Sequence, residues 1–147
     1  LKFLGDTAVT HLDFLKQMLV REAEQHPSFE MQLGGVGCFP NQRNPRVLWI
    51  GIHAPSDLTS LQRGVEAGVS RLGYKPEARP FSPHLTVGRV RENASLIELQ
   101  KIRAALNAIQ PGNIAIAKVD AVHLFKSDLH PGGAVYTKLF STSLSKS

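Results

Sequence analysis

The chain has 147 residues, 42% hydrophobic and 20% charged, which excludes a disordered or low-complexity protein and suits one globular domain over residues 1–147. Lys and Arg number 17 against 12 Asp and Glu, and the net charge of +5 favours polyanionic partners such as nucleic acid without deciding the fold. Cys38 is the only cysteine, which excludes an internal disulfide and fits a reducing, cytoplasmic setting, and no apolar run approaches the roughly 18 residues of a membrane span.

Leu1-Lys2-Phe3-Leu4 alternates briefly and predicts a strand, ended by Gly5-Asp6-Thr7. The chain opens on Leu1, not Met, inside what reads as a strand, so further residues are expected upstream. Asp6 or Thr7 then caps a helix over residues 8–24, with Leu12, Leu15 and Leu19 as its apolar stripe. A strand is expected over 29–36, a loop over 37–45, and the strongest strand over 46–53, rich in β-branched and aromatic residues. Ser56 or Asp57 caps a second helix on Leu58, Leu61, Val65, Val69 and Leu72, closing at Gly73. After a loop comes a strand over 84–90. Ser95 and Glu98 have capping-box spacing and open a third helix with a stripe of Leu96, Leu99, Ile102 and Leu106. One long strand is expected over 114–125, then a hairpin through Pro131-Gly132-Gly133 and a frayed Ser/Lys tail.

A β-α-β-β unit therefore occurs twice, with the second helix between the copies. Helices alternating with paired strands predict an α+β fold with mainly antiparallel sheets.

His84-Leu85-Thr86-Val87 holds the chain's chemistry. Residues two apart on a strand share a face, so His84 and Thr86 offer an acid/base group and a hydroxyl side by side. Gly88 leaves room for a ligand, and Arg89 and Arg91 supply anion-pairing charge. Strict alternation puts Arg89 on the opposite face, so it reaches the site only through a bulge or twist near Gly88. The plainer alternative is a hydrogen-bonded histidine on a half-exposed strand.

Among the other histidines, His11 and His26 read as solvated, His53 and His123 as packed, and His130 as part of a turn. No spacing of histidines, cysteines or carboxylates matches a metal motif, so a metal-free site without cofactor is expected. Gly34-Gly35-Val36-Gly37 lacks the G-K-[ST] ending of a phosphate loop. Phe39 and Phe81 lie among Arg43, Arg46, Lys75 and Arg79, where an aromatic ring could stack a base while cations meet phosphates; anchoring the loops to the core is the competing role.

Pro83-His84-Leu85-Thr86-Val87-Gly88-Arg89 resembles the second H-x-T-x motif of the two-histidine (2H) phosphoesterases, in the branch of RNA 2′,3′-cyclic phosphodiesterases, also called 2′-5′ RNA ligases. Leu1 to Gly5, Gly37 to Pro40 with Pro45 to Gly51, and Ser127 with Pro131 to Tyr136 resemble further family segments in the family's order. The resemblance implies two pseudo-symmetric lobes around a central cleft, helices outside, with one H-x-T-x strand from each lobe. By this match Leu1 ends the first motif, whose histidine and threonine, with a strand and helix before them, are expected upstream. It further implies hydrolysis of RNA 2′,3′-cyclic phosphate ends to 2′-phosphates, reversible 2′-5′ ligation, and a monomer when intact. His84 would be the proton acceptor, Thr86 would bind phosphate oxygens, and Arg89 and Phe39 would bind substrate. The alternative is a non-catalytic RNA- or nucleotide-binding module using the same cleft.

Overall fold

Residues 1–109 and 112–145 are described by a computed structural model. A short 3₁₀ turn, Val9–His11, leads into helix α1, Leu12–Ala23, and then come strands β1, Phe29–Phe39, and β2, Val47–His53. Helix α2, Ser56–Arg71, precedes β3, His84–Arg89; α3, Leu96–Ala108, precedes β4, Asn113–Val119, β5, Ala121–His130, and β6, Gly133–Ser143. The strands form a four-stranded sheet in the order β3-β2-β1-β4 and a two-stranded β5-β6 sheet. The β1-β2, β2-β3 and β5-β6 pairs are antiparallel. The expected α+β class with mainly antiparallel pairing holds.

Contacts divide the chain into two units. The first takes Leu1–Phe29, Pro55–Phe81 and Lys118–Ser147; the second takes Glu30–Ala54 and Ser82–Ala117. The division crosses the two halves expected from the sequence. The first unit joins α1 from the first copy to the β5-β6 hairpin from the second. The second unit joins β3 and α3 from the second copy to the β1-β2 hairpin from the first.

The first unit holds most of the buried apolar side chains. Leu15, Leu19 and Ala23 of α1 are buried, as are Leu58, Leu61, Val65 and Val69 of α2, with Val122 and Leu144 from the hairpin end. Both expected helical stripes are thus core. Gly68 lets α2 approach α1 closely, because a Cβ there would fall 2.6 Å from the Met18 sulfur. Gly73, at φ +93°, ends α2 as expected of a C′ glycine.

Several expectations fail for physical reasons. Residues 1–4 join no ladder among the described residues. A strand needs a neighbour for its backbone groups, and side chains hold this segment instead. Lys2 Nζ donates to Glu66 Oε1 at 2.8 Å and to the Lys75 carbonyl at 2.7 Å. The expected strand over 114–125 is two strands, because β4 ends at Val119 and β5 begins at Ala121, each paired in a different sheet. The stripe of α3 is half-buried at Leu99, Ile102 and Leu106 and exposed at Leu96, with no fully buried residue. No side chain of Asp6, Thr7, Ser56 or Asp57 caps a helix. His26 is buried, not solvated, with Nε2 at 2.7 Å from Glu22 Oε1, whereas His53 and His123 are exposed. The tail is docked through Ser145, whose amide donates to the His26 carbonyl at 2.9 Å; the expected fraying at Lys146 and Ser147 lies outside the described residues.

Two predictions arise from these contacts. Ser95 Oγ accepts from the Glu98 amide at 3.2 Å, and Glu98 reaches back to the Ser95 amide at 2.7 Å. Ser95→Ala should therefore cost about 1 kcal/mol, seen as a lower denaturation midpoint. Glu66 gives the second. Burial works against its charge, but hydrogen bonds from Lys2 and the Glu77 amide, with the charge of Lys2, outweigh burial and hold its pKa below the ordinary value. A depressed folded pKa lends stability that is complete above the unfolded value and is lost as pH falls through the folded one. Lys2→Met should lower the melting temperature near neutrality, and the gap should close as pH falls below about 4.3. A gap that does not change with pH would rule out this role for Glu66.

Candidate active site

Strand β3 is an edge strand, and its register on β2 sets the site. Gly51 pairs with His84, Trp49 with Thr86, and Val47 with Arg89. Alternate residues of β2 share a face, so His84, Thr86 and Arg89 share one too. Leu48 pairs with Gly88, so β3 carries one extra residue, Val87, between Thr86 and Gly88. This bulge moves Arg89 onto the face of His84 and Thr86, against the strict alternation of the sequence.

On β1, Gly37 pairs with Trp49 and Phe39 with Val47, so they join the same face. The ring of His84 meets Phe39 edge-on at 5.0 Å between centroids, Phe39 lies 5.4 Å from Trp49, and Trp49 lies 6.5 Å from His84. Gly37 makes this cluster possible. An added Cβ there would lie 2.8 Å from the indole Cε2 and closer still to the outer ring carbons. The indole occupies the place of a side chain on β1.

His84 is exposed, and its Nδ1 lies 2.7 Å from the Ser82 carbonyl oxygen. A carbonyl only accepts, so Nδ1 carries the hydrogen and donates it. In the neutral ring Nε2 is then the bare nitrogen, able to take a proton. Thr86 is exposed beside it, its hydroxyl open to an incoming ligand. The arrangement offers a proton acceptor, a hydroxyl donor and a guanidinium along one strand.

Further basic residues surround the end of β3. Arg46, Val47, Arg89, Val90, Arg91 and Glu92 line a surface depression of about 720 Å³. The turn before Arg46 is ordered by Asn41, whose Oδ1 accepts from the amides of Arg43 and Asn44 at 3.0 and 3.1 Å. Arg103 of α3 donates to the Arg43 carbonyl.

The sequence pattern singled out His84, Thr86, Arg89 and Phe39, and all four lie on the second unit's sheet. Phe39 belongs to β1, which runs through what reads as a loop, not to that loop. Phe81, Lys75 and Arg79 belong to the other unit. Trp49 was legible only as a strand residue; its closeness to His84 depends on register, and Gly37 was the one signal. Gly34 to Gly37 lie within β1, bulged where Gly35 takes φ +71°, and form no phosphate loop. Among the described residues no group of three His, Cys, Asp or Glu side chains is placed to hold a metal ion. No described helix is long and apolar enough to cross a membrane.

The chain is similar in sequence and fold to known proteins. The family model for the 2'-5' RNA ligase superfamily matches residues 3–131. An RNA 2',3'-cyclic phosphodiesterase of Methanothermobacter thermautotrophicus is 32% identical over 139 residues, covering 95% of this chain and 73% of that protein. One from Archaeoglobus fulgidus is 31% identical over 140 residues, covering 95% and 74%. A crystal structure of a Thermus thermophilus protein superposes with a TM-score of 0.78 at 28% identity, covering 98% of this chain and 75% of that one. Escherichia coli LigT complexed with 3'-AMP gives 0.74 at 24% identity, over 99% and 75%, a likeness of fold.

Proposed function

The chain belongs to the 2'-5' RNA ligase superfamily, and from that membership we propose that His84 is one of two histidines that open RNA 2′,3′-cyclic phosphate ends to 2′-phosphates. The observation that carries the proposal is the His84 ring held by the Ser82 carbonyl, which leaves Nε2 free to accept a proton. In the reaction, Nε2 takes a proton from water, and the water oxygen bonds to phosphorus. The bond from phosphorus to the ribose 3′ oxygen breaks, and a second histidine protonates that oxygen. This is general acid–base catalysis without metal or cofactor. Thr86 donates its hydroxyl hydrogen to a non-bridging phosphate oxygen, and Arg89 offsets negative charge as it develops. Phe39 forms an apolar wall for the terminal nucleotide. With a 5′-hydroxyl in place of water, the same steps join two RNA ends through a 2′-5′ linkage.

The 147 residues contain one H-x-T motif, and two-histidine chemistry needs another. The partner histidine must then be supplied from outside these residues. Cys38 as the lone cysteine supports a reducing, cytoplasmic setting, and the protein is proposed to act as a monomer. The test uses the chain preceded by a His-x-Thr segment taken from a relative. It should hydrolyse a 2′,3′-cyclic nucleotide in the presence of a chelator. Salt-dependent RNA binding with no turnover would instead favour a binding module on the same face.

A further inference from the structure

We infer that Arg46 and Arg91 form a second phosphate subsite, which receives the first internal phosphodiester on the 5′ side of the bound RNA end. The inference rests on the reading of His84 and Thr86 as the site of the terminal phosphate. A cyclic phosphate closes its chain, so the rest of the RNA leaves the site in one direction only. The next phosphate in that direction needs a cationic surface within one nucleotide of Thr86.

The depression at the end of β3 supplies it. Three arginines, Arg46, Arg89 and Arg91, line it against one glutamate, Glu92. It begins on the same face as the site: Arg89 pairs with Val47, two residues along β2 from the Trp49 that pairs with Thr86. Two residues of strand span about 7 Å, a distance that one nucleotide bridges between successive phosphates. The second phosphate therefore falls at the level of Arg89, within reach of the long side chains of Arg46, adjacent to Val47, and Arg91, two residues past Arg89.

Both outer arginines are set for an anion. Arg46 Nη1 donates to the carbonyls of Arg91 and Glu92, each at 3.3 Å, which fixes the guanidinium and leaves its other donors free for a phosphate. Those bonds also tie residues 91 and 92 to the start of β2, next to the ladder contact from the Val90 amide to the Arg46 carbonyl at 2.9 Å. Arg91 pairs with Glu98 at 3.3 Å but remains largely exposed, with other donors unused. Apolar Val47 and Val90 in the lining suit the sugar between the phosphates.

Equilibrium binding to the 147-residue chain tests the inference. The probes are a nucleoside 2′-phosphate and a dinucleotide ending in a 2′-phosphate, each titrated against salt. The dinucleotide should bind more tightly and with the steeper salt dependence. Arg46→Gln and Arg91→Gln should each reduce its log–log salt slope by about 0.7, the loss of one phosphate contact on a single strand. Arg46→Lys should retain the slope, and Lys101→Gln, an exposed cation of α3 outside the depression, should leave it unchanged. Arg91→Gln keeps the test sound where Arg46→Gln disturbs the backbone. Suppose the mononucleotide binds and loses affinity in His84→Ala, while both glutamine variants bind the dinucleotide like the parent. The subsite is then wrong and the terminal site stands. Mononucleotide binding indifferent to His84 and Thr86 would overturn the terminal site and the subsite together.

Discussion

His84→Ala, in the chain preceded by a His-x-Thr segment, should lower turnover of a 2′,3′-cyclic nucleotide by about 10²–10⁴-fold. The alanine removes the group on this face that takes the proton from attacking water. Thr86 and Arg89 stay, so binding of a 2′-phosphate product should fall far less than turnover. The fold should be little affected. His84 is exposed on an edge strand, where it meets Phe39 edge-on, lies near Trp49 and donates to the Ser82 carbonyl, contacts worth about 1 kcal/mol each at such a site. The variant should stay folded and melt somewhat below the parent. A variant that keeps parental turnover, or one whose loss of activity tracks unfolding, would remove His84 from the chemistry.

Gly37→Val should produce the next largest effect, by a different route. Valine favours strands and Gly37 needs no unusual backbone angle, since the glycines with positive φ are Gly5, Gly35, Gly73 and Gly133. The whole penalty therefore comes from the Trp49 indole lying where the valine would stand. Overpacking of this kind costs about 1–3 kcal/mol. The displaced indole then pushes on Phe39 and His84, and a misplacement of about 1 Å at a catalytic group lowers turnover on the order of 10²-fold. Trp49 is the only tryptophan, so its fluorescence reports the movement directly as a red shift on exposure to water. Adding Trp49→Leu to Gly37→Val should restore stability, because the two changes act through one contact. Unshifted emission in the single variant would show that β1 absorbs the extra atoms elsewhere.

Local rules made much of the fold legible. Apolar period gave α2, Gly73 its end, and capping spacing the Ser95–Glu98 box of α3, while turn residues and alternation gave the β1-β2 and β5-β6 hairpins and the short strand of His84. Features set by tertiary pairing were not legible. Residues 1–4 alternate like a strand yet have no ladder partner among the described residues, and Lys2 ties them to Glu66 instead. Strands β4 and β5 are continuous in pattern but part at Asp120, because each answers to a different sheet. His26 looked solvated at a helix end; the docking of Leu144 and Ser145 at that end of α1 buries it. At the site, the position of Arg89 turned on one extra residue in β3, which alternation cannot foresee. Trp49 and the Arg46–Arg91 depression likewise became visible only through register and the return of the chain.

The most direct test of two-histidine opening is the identity of the product under metal-free conditions. An RNA ending in a 2′,3′-cyclic phosphate is incubated, in a chelator, with the chain preceded by a His-x-Thr segment, and the terminus is read by phosphorus NMR. The expected spectrum shows the cyclic phosphate replaced by a 2′-phosphate alone, and no change with His84→Ala. A 3′-phosphate product, or conversion only after a divalent metal is added, would contradict it.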